Sequence, residues 1–503
     1  MAIPLFIFQS AKAQSYAETA LILGGTAPAG SARVQALGGS QTALGADYSS
    51  ALSNPAGLGM YNRGEFTFSL GFNDNQTSSS YYGSRNSDNR TVFNIPGFSY
   101  VWNFPNRSEG FIGGSLAFSF SRTNDFNRQA LYSGSNLNKS IIDYFIEQSN
   151  GFTTDQFLDG GYHYNSPTGL AYHNFLIGPL SVEDANAPDD IYFTYAPLPD
   201  RQNELEEILV KGATNQWNIS YGGNIEDRFF FGAGVGVTSL RYESRKDYIE
   251  RYNADVPSVE VMHLTEKLTI TGTGVNATLG AIGRPIDEIQ IGVSYTTPTA
   301  YALSESYEAA MGTRWEQGFI YPSPDGGVDL STSNLDDPIM TDIIMSDYRL
   351  TIPSKLRGGI AYFTRYGFIT GDVEYTNPSR LRYKSNIGGL SFEEDNREIS
   401  DIYRPTVNYR VGAEFRKNIW RLRAGYNLLT NAFDKRLNAD NSVSSITGGV
   451  GIRTPSFYID LAVIHGKTQP YPYRPYSFAD GSGPVAEFTD RTARGVLTVG
   501  FTF

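Results

Sequence analysis

Over most of its length the chain interleaves apolar with polar or small residues one by one. Phe229, Phe231, Ala233, Val235 and Val237 alternate with Phe230, Gly232, Gly234 and Gly236, and Phe457, Ile459, Leu461 and Val463 with Tyr458, Asp460 and Ala462. Ile112, Leu116, Phe118 and Phe120 stand among Gly113, Ser115, Ala117 and Ser119 in the same way. A period of two is that of a β-strand, whose successive side chains point to opposite faces. It predicts strands at 64–73, 92–104, 110–121, 214–223, 228–241, 266–283, 288–308, 345–364, 367–383, 404–417, 419–428, 444–454, 456–466 and 493–503. Joins near Asn106, Glu226, Pro285, Tyr366, Asn418 and Pro455 are tight, whereas 122–213, 242–265, 309–344 and 467–492 are long. Period alone does not separate a soluble sandwich from a barrel, but a sandwich has no reason to sort its connections by length. A transmembrane strand needs only about 9–11 residues, and barrels of the outer membrane have short periplasmic turns and long outer loops. Closure also removes every free sheet edge, the condition for strands to exist in lipid. The expected fold is all-β: a transmembrane antiparallel β-barrel of about 14 strands with long extracellular loops. An even strand count places both termini in the periplasm.

The chain ends fit export to the outer membrane. Leu497, Val499, Phe501 and Phe503 alternate with Thr498, Gly500 and Thr502, which resembles the closing strand of outer-membrane barrels with its terminal aromatic. At the other end an apolar run through Phe8 is followed by Ala11-Lys12-Ala13, an A-x-A cleavage signal. Residues 1–13 are therefore read as a signal peptide whose basic start is missing. No run of 18 apolar residues follows, so no membrane-spanning helix is expected. Within the long outer loop 122–213, Ile141–Gln148 and Gln202–Gly212 read as helical, the second because Leu205, Ile208 and Leu209 recur at i, i+3 and i+4. Such a helix would either collect apolar ligand at the barrel mouth or pack over the loop.

Composition narrows the chemistry. The 503 residues carry 40 Lys+Arg against 52 Asp+Glu, a formal net charge of −12, without a basic run, so nucleic acid is not an expected partner. The absence of Cys excludes disulfides, Cys-ligated metals and thiol nucleophiles. His163, His173, His263 and His465 are the only histidines, and none stands in a nucleophile motif. His163 and His173, ten residues apart on one loop, form a weak metal pattern; His465, at a strand end, is the one place to seek a barrel-wall hydrolase. No enzymatic activity, metal or cofactor is expected.

Residues 14–62 do not alternate. Small residues dominate Ala32–Leu44 and Ala46–Leu58, with Asp47 placed to cap a helix start and Asn54-Pro55 to stop and turn the chain. Irregular backbone cannot cross lipid unless protein encloses it. The segment 14–62 is therefore expected to fold into the lumen as an N-terminal hatch, with 63–503 forming the barrel. The run Gly38-Gly39, Thr42-Ala43, Asp47, Ala51 and Asn54-Pro55-Ala56-Gly57-Leu58 resembles the hatch of the FadL/TodX (OmpP1) family. Arg284-Pro285 with Ile291–Tyr295, Gly371–Tyr375, Tyr409–Phe415, Leu422–Tyr426 and Asp460–Ala462 extend the likeness along the mature chain. The resemblance implies a fourteen-stranded channel for passive uptake of long-chain fatty acids or other hydrophobic small molecules. Cargo would pass from the outer loops to a lumenal pocket against the hatch, then sideways through the wall beside a kinked strand. By position that is the third strand, where Gly113-Gly114 would supply a bulge. The longest outer loop follows the third strand, a departure from the best-known members. The family also includes barrels that assist protein secretion, so a partner barrel with a protein at its outer loops is the alternative. A monomer surrounded by outer-membrane lipid is expected.

Alternation also assigns the lumenal charges. With Val407, Tyr409, Val411, Ala413 and Phe415 toward lipid, Arg410, Glu414 and Arg416 face inward; with Trp420, Leu422, Ala424 and Tyr426 outward, so do Arg421 and Arg423. Asp372 and Glu374 join them, because a charge facing lipid costs about 2–4 kcal/mol at mid-membrane. Two readings follow. Arg410, Arg421 or Arg423 would offer a guanidinium fork to a fatty-acid carboxylate. Alternatively, the charges form an ion network that braces the wall and pins the hatch through Arg33 or Asp47, and this reading is favoured.

Overall fold

The computed structural model describes residues 15–503, apart from 26, 107–109, 138, 183–188, 199–201, 323–326, 332, 386–390 and 438. The leader expected over 1–13 lies outside the described residues. Fourteen strands run in chain order around the molecule. They are β1 (Glu65–Tyr81), β2 (Ser84–Pro105), β3 (Phe111–Asp125), β4 (Gln202–Ile225), β5 (Phe229–Tyr252), β6 (Val259–Ile286) and β7 (Ile289–Thr296 with Thr299–Trp315). There follow β8 (Ile344–Ile352 with Lys355–Thr364), β9 (Gly367–Thr376), β10 (Thr406–Lys417), β11 (Trp420–Leu429), β12 (Val443–Arg453), β13 (Phe457–Thr468) and β14 (Ala486–Thr502). Each pairs antiparallel with its neighbours, and β14 returns to β1 from Ser80↔Glu487 down to Glu65↔Thr502, which closes the barrel and leaves no edge.

The outward positions nearest the short turns are apolar and exposed. Ile291 and Val293 on β7, Leu356 and Ile360 on β8, Ile369 and Val373 on β9, and Leu497 and Phe501 on β14 belong to this band. On a closed barrel that ring is the lipid face. It ends near Trp217 on β4 and Val237 on β5, yet those strands run on to Gln202 and Tyr252. The outer half of the barrel therefore stands clear of the membrane. Just above the band β7 and β8 break at Pro298 and Pro353, and β9 stops before Pro378, resuming only as Arg382–Ser385. Proline cannot donate to a ladder, and these breaks let the outer half take its own course.

Several connections are shorter than the sequence suggests. Residues 74–91, left between the first two predicted strands, are the outer part of the β1–β2 hairpin, which turns at Tyr82-Gly83. Residues 242–265 shrink to 253–258. The stretch Gln202–Gly212 is strand, not helix. Glu204, Glu206, Ile208 and Val210 alternate as buried positions, while Leu205 and Leu209 share the outer face because an even spacing coincides in both periods. The glutamates are sustainable inside because hydroxyl and amide donors meet them. Glu204 accepts from Tyr81, from Asn136 at 3.0 Å and from Tyr476 at 3.1 Å, and Glu206 from Tyr473 at 3.0 Å. Of the loop 122–213, Arg128–Asn136 also pairs with β4. The described residues of the remainder, between 137 and 198, form an outer cap holding helices Ile141–Ser149, as expected, and Pro167–His173.

The N-terminal segment fills the lumen as four short pieces: α1 (Tyr16–Gly24), α2 (Ala32–Ala36), α3 (Ser50–Ser53) and a 3₁₀ turn, Pro55–Met60. Leu37, Gly38 and Gly39 reverse the chain after α2, the two glycines at φ 68° and 82°, a region that costs other residues strain. From α2 to the 3₁₀ turn the hatch lies at the height of the lipid band. α1 instead climbs into the outer half, where Ser15 bonds Glu398 of the β9–β10 connection. The C-terminal Phe503 sits at the short-turn end against Gly64 (3.0 Å). The described chain thus begins and ends at opposite ends of the barrel.

The hatch touches the wall through backbone. A Cβ at Gly222 or Gly232 would meet the Pro55 main chain, at Gly292 the Thr42 carbonyl, at Gly412 Leu37 and at Gly425 Gly38. This lumenal belt leaves no room for a side chain. Gly292→Ala should therefore expel the hatch or weaken its seat, seen as faster protease cleavage within 31–62 in a barrel that keeps its compact mobility in SDS. Gly283→Ala, where nothing lies within 4 Å, should change neither.

Candidate lumenal site

Strand register brings the lumenal charges together. β9 sets Asp372 opposite Arg410, and β10 sets Glu414 opposite Arg423. Asp372 Oδ2 accepts from Gln41 N (2.7 Å), Thr42 N (2.8 Å) and Thr42 Oγ1 (2.8 Å), fastening the hatch to β9. Glu374 is held by Arg357 at 2.6 Å and Arg410 at 3.1 Å. Arg423 bridges Glu414 and Asp460, each at 2.6 Å, and Arg416 takes the other Glu414 oxygen at 2.6 Å. From the hatch, Arg33 approaches Glu414 at 3.7 Å and Asp47 at 4.0 Å, and donates to Gly45 O at 3.1 Å.

Asp47 accepts from Ser31 Oγ (2.7 Å) and Ser49 N (3.0 Å), a turn just ahead of α3. Asn54 caps the 3₁₀ turn through Ala56 N (3.2 Å) and donates to Thr42 O (2.7 Å). Pro55 and Ala56 lie against β4 and β5, Gly38 against β11, and Gly39 beside the Arg410 side chain. Arg410 and Arg423 are thus engaged by carboxylates. Arg421 lies at the short-turn end, donating to Asn418 O (2.7 Å) and Trp420 O (2.9 Å). Gly113 forms a bulge at φ 146°, yet it and Gly114 stay paired to β2 and β4, so the wall is unbroken at that height.

Higher up, a ladder of the wall ends and side-chain bonds take its place, Asn75 donating to Asn127 O at 2.7 Å and Ser79 to Leu131 O at 2.6 Å. β2 and β3 pair only from Pro105↔Gly113 to Gly97↔Ser121. At Pro96 the ladder stops. Beyond it β2 follows β1, and β3 with its extension follows β4. Two cavities lie against the hatch, and the smaller one reaches this fork. One, of about 80 Å³, lies over Pro28, Gln35 and Gly38 and reaches Thr447, Ile464 and Thr492. The other, of about 30 Å³, reaches Asn94, Pro96 and Arg122–Asp125 at the fork. Ala27, Pro28, Gln35 and Arg494 line both.

Arg494 was not among the residues singled out by alternation. Among the described residues no carboxylate lies within ion-pair distance of it, and its buried Nε has no partner. Asp125, on the same cavity wall, is taken by Arg122 at 2.9 Å. The signal was available: Arg494, Val496 and Thr498 share the inward parity of β14. The strand as read from sequence began one residue earlier, where parity carries little weight.

Above this level the lumen is closed. α1 packs among Tyr301, Tyr348, Leu350 and Tyr403, and the cap sits over the outer rim. There Glu250 of β5 faces Glu204 and receives Ile141 N of the cap helix at 3.1 Å, while Ser140 meets Tyr252 at 3.2 Å. Glu250 lies far beyond the lipid band. Burial, with Glu204 alongside, pushes its carboxyl up to about 8. His163 is buried in the cap, stacked on Phe157 at 5.0 Å. Among the described residues no three His, Asp or Glu side chains converge as a metal would require, and no helix is long and apolar enough to cross a membrane.

Solved structures share this architecture, though no family model and no curated protein matches the sequence. A Pseudomonas aeruginosa FadL homologue is 14% identical over 95% of this chain and 99% of its own, with a TM-score of 0.57. The Pseudomonas putida toluene transporter TodX is 11% identical over 96% and 99%, at 0.49. The Ralstonia pickettii toluene transporter TbuX is 15% identical over 96% and 99%, at 0.47. The chain has the fold of the FadL family, on the strength of the first match.

Two outcomes follow from the geometry. Arg423→Ala leaves Glu414 and Asp460 buried without their shared cation, a loss of roughly 3–5 kcal/mol. It should lower the temperature at which the barrel loses its SDS-resistant mobility far more than Arg421→Ala does. The docked cap keeps Glu250 protonated, whereas an undocked carboxyl near 4.5 releases that proton. Docking is therefore strongest below about pH 4.5 and weakens as pH rises through about 8. Protease cleavage within 137–201 should be faster at about pH 8.5 than at about pH 5, and Glu250→Gln should flatten the difference.

Proposed function

We propose that the protein is an outer-membrane channel for passive uptake of hydrophobic small molecules, and that its cargo carries an acidic head, as a long-chain fatty acid does. The observation that carries the reading is Arg494: a half-buried guanidinium whose buried Nε has no partner and which has no acid within ion-pair distance among the described residues, on the wall shared by both cavities and next to the fork between β2 and β3. A guanidinium fork matches a carboxylate, and the apolar lining contributed by Ala27, Pro28 and Ile464 suits a hydrocarbon tail. Cargo would enter past the cap, rest over the hatch with its head on Arg494, and leave sideways at Pro96, where exposed Phe93 and Ile95 carry the apolar outer surface up to the fork.

The cavity of about 80 Å³ is far below the roughly 300–1,000 Å³ of ligand pockets. The described state is closed, and the irregular stretch around Ala27–Gly30, which forms the cavity floor, is the part that must move. On this reading the outer cap is a gate, the protein works as a single chain in outer-membrane lipid, and no catalytic step is involved.

Cells lacking the protein should take up labelled oleate slowly, and the wild-type gene should restore uptake. Arg494→Leu should fold normally yet bind oleate roughly tenfold or more weakly, the worth of a hydrogen bond to a charged group, while hexadecane binding is kept. Unchanged oleate uptake in the deletion, with surface proteins misassembled, would favour the partner-barrel alternative.

A further inference from the structure

α1 carries a tyrosine into a cage of other aromatic rings. The Tyr16 ring lies 5.8 Å from Tyr348, 5.2 Å from Tyr383 and 5.0 Å from Phe392. Those three come from the outer half of β8, the Arg382–Ser385 segment and the residue before the helix Glu393–Ile402. They also touch one another at 5.4, 5.4 and 5.1 Å, so the cage is built without Tyr16. At its polar end Glu305 of β7 accepts from Tyr348 at 2.6 Å with one oxygen and from Tyr16 at 3.1 Å with the other. Tyr383, 3% exposed, keeps a buried hydroxyl without a partner among the described residues.

The occupant is the least anchored part of this arrangement. α1 makes no ladder bonds. Beyond Tyr16 it is seated by Ala17, Ala20 and Leu23, by Tyr403 donating to Ala17 O at 3.0 Å, by Asn124 donating to Ile22 O at 3.3 Å and Gly25 O at 3.0 Å, and by the long Ser15–Glu398 contacts. Its opposite face, Glu18 and Ile22, is exposed. The walls, by contrast, belong to the barrel or pack on it. A tyrosine side chain is p-cresol on a tether. A cage of ring faces with a carboxylate at one end selects a flat ring bearing a hydroxyl donor and repels a carboxylate head.

We propose that this cage is a binding site for hydroxylated monoaromatic compounds, occupied in the described state by the chain's own Tyr16, which a phenol displaces together with α1. The inference extends the uptake reading by adding a second cargo class and a gate, but binding can be tested without transport.

The test uses the full-length protein in detergent. Tyr16→Ala should bind p-cresol in titration calorimetry, with toluene roughly tenfold or more weaker, and Glu305→Leu in that background, which removes the acceptor, should erase the preference. Tyr16→Phe keeps the cage filled and controls for folding. In an otherwise wild-type chain, which has no cysteine of its own, Leu23→Cys places a thiol in the packed face of α1. Its maleimide labelling should rise severalfold with p-cresol and stay level with oleate. Equal binding of toluene and p-cresol by Tyr16→Ala would overturn the proposal. So would Leu23→Cys labelling that p-cresol does not move, since the cage would then be only a hole made by the mutation. If oleate uptake proves independent of the protein while p-cresol still moves α1, the uptake reading falls and this site stands.

Discussion

The structure depends on how closely the hatch backbone approaches the barrel wall. A closed barrel of fourteen strands would leave a wet channel if its lumen held only water. Here the lumen at membrane height is filled by a chain that turns from α2 to Pro55–Met60, pressed against glycines on β4, β5, β7, β10 and β11. Each glycine removes a side chain from one side of the contact so that main chain meets main chain. That contact costs polar groups their water, and it is tolerable only because the wall returns hydrogen bonds. Asp372 meets the amides of Gln41 and Thr42, and Thr498 the amide of Ala32.

The same confinement organises the charges. Lipid around the band excludes them, so the arginines and acids of β9–β13 are turned inward, where register sets Asp372 opposite Arg410 and Glu414 opposite Arg423. Once inside, most pair with carboxylates, while Arg421 at the short-turn end bonds main-chain carbonyls. Arg410 and Arg423, both suited to a ligand carboxylate by type, are spent on Glu374, Glu414 and Asp460. What remains is the exception, Arg494, beside the place where the β2–β3 ladder ends. A ligand site in such a lumen is marked less by the presence of a cation than by a cation without a partner.

Sequence reveals most where lipid imposes a rule. Strand count and the inward parity of the charges were legible because a membrane strand must alternate, and the hatch expected over 14–62 rested on the need to enclose irregular backbone. Above the band that rule lapses. Glu204 and Glu206 point inward and Leu205 and Leu209 outward, a polarity that imitates a helix. The height reached by α1 had no sequence signal, since Ala17 and Ala20 suit any tight packing. The fork did have one, in Pro96, a residue that cannot continue a ladder, whereas the bulge at Gly113 drew notice yet leaves the wall closed.

The central claim is that hydrophobic cargo occupies the space between the hatch and the wall beside Arg494 and reaches the fork. The most direct measurement is photo-crosslinking of the purified protein with a fatty acid carrying a diazirine near its carboxyl, followed by peptide mapping. The account predicts label on the peptides containing Thr492–Val496, Ser445–Thr447 and Arg122–Asp125. Label confined to the outward apolar band, with none on these lumenal peptides, would contradict it.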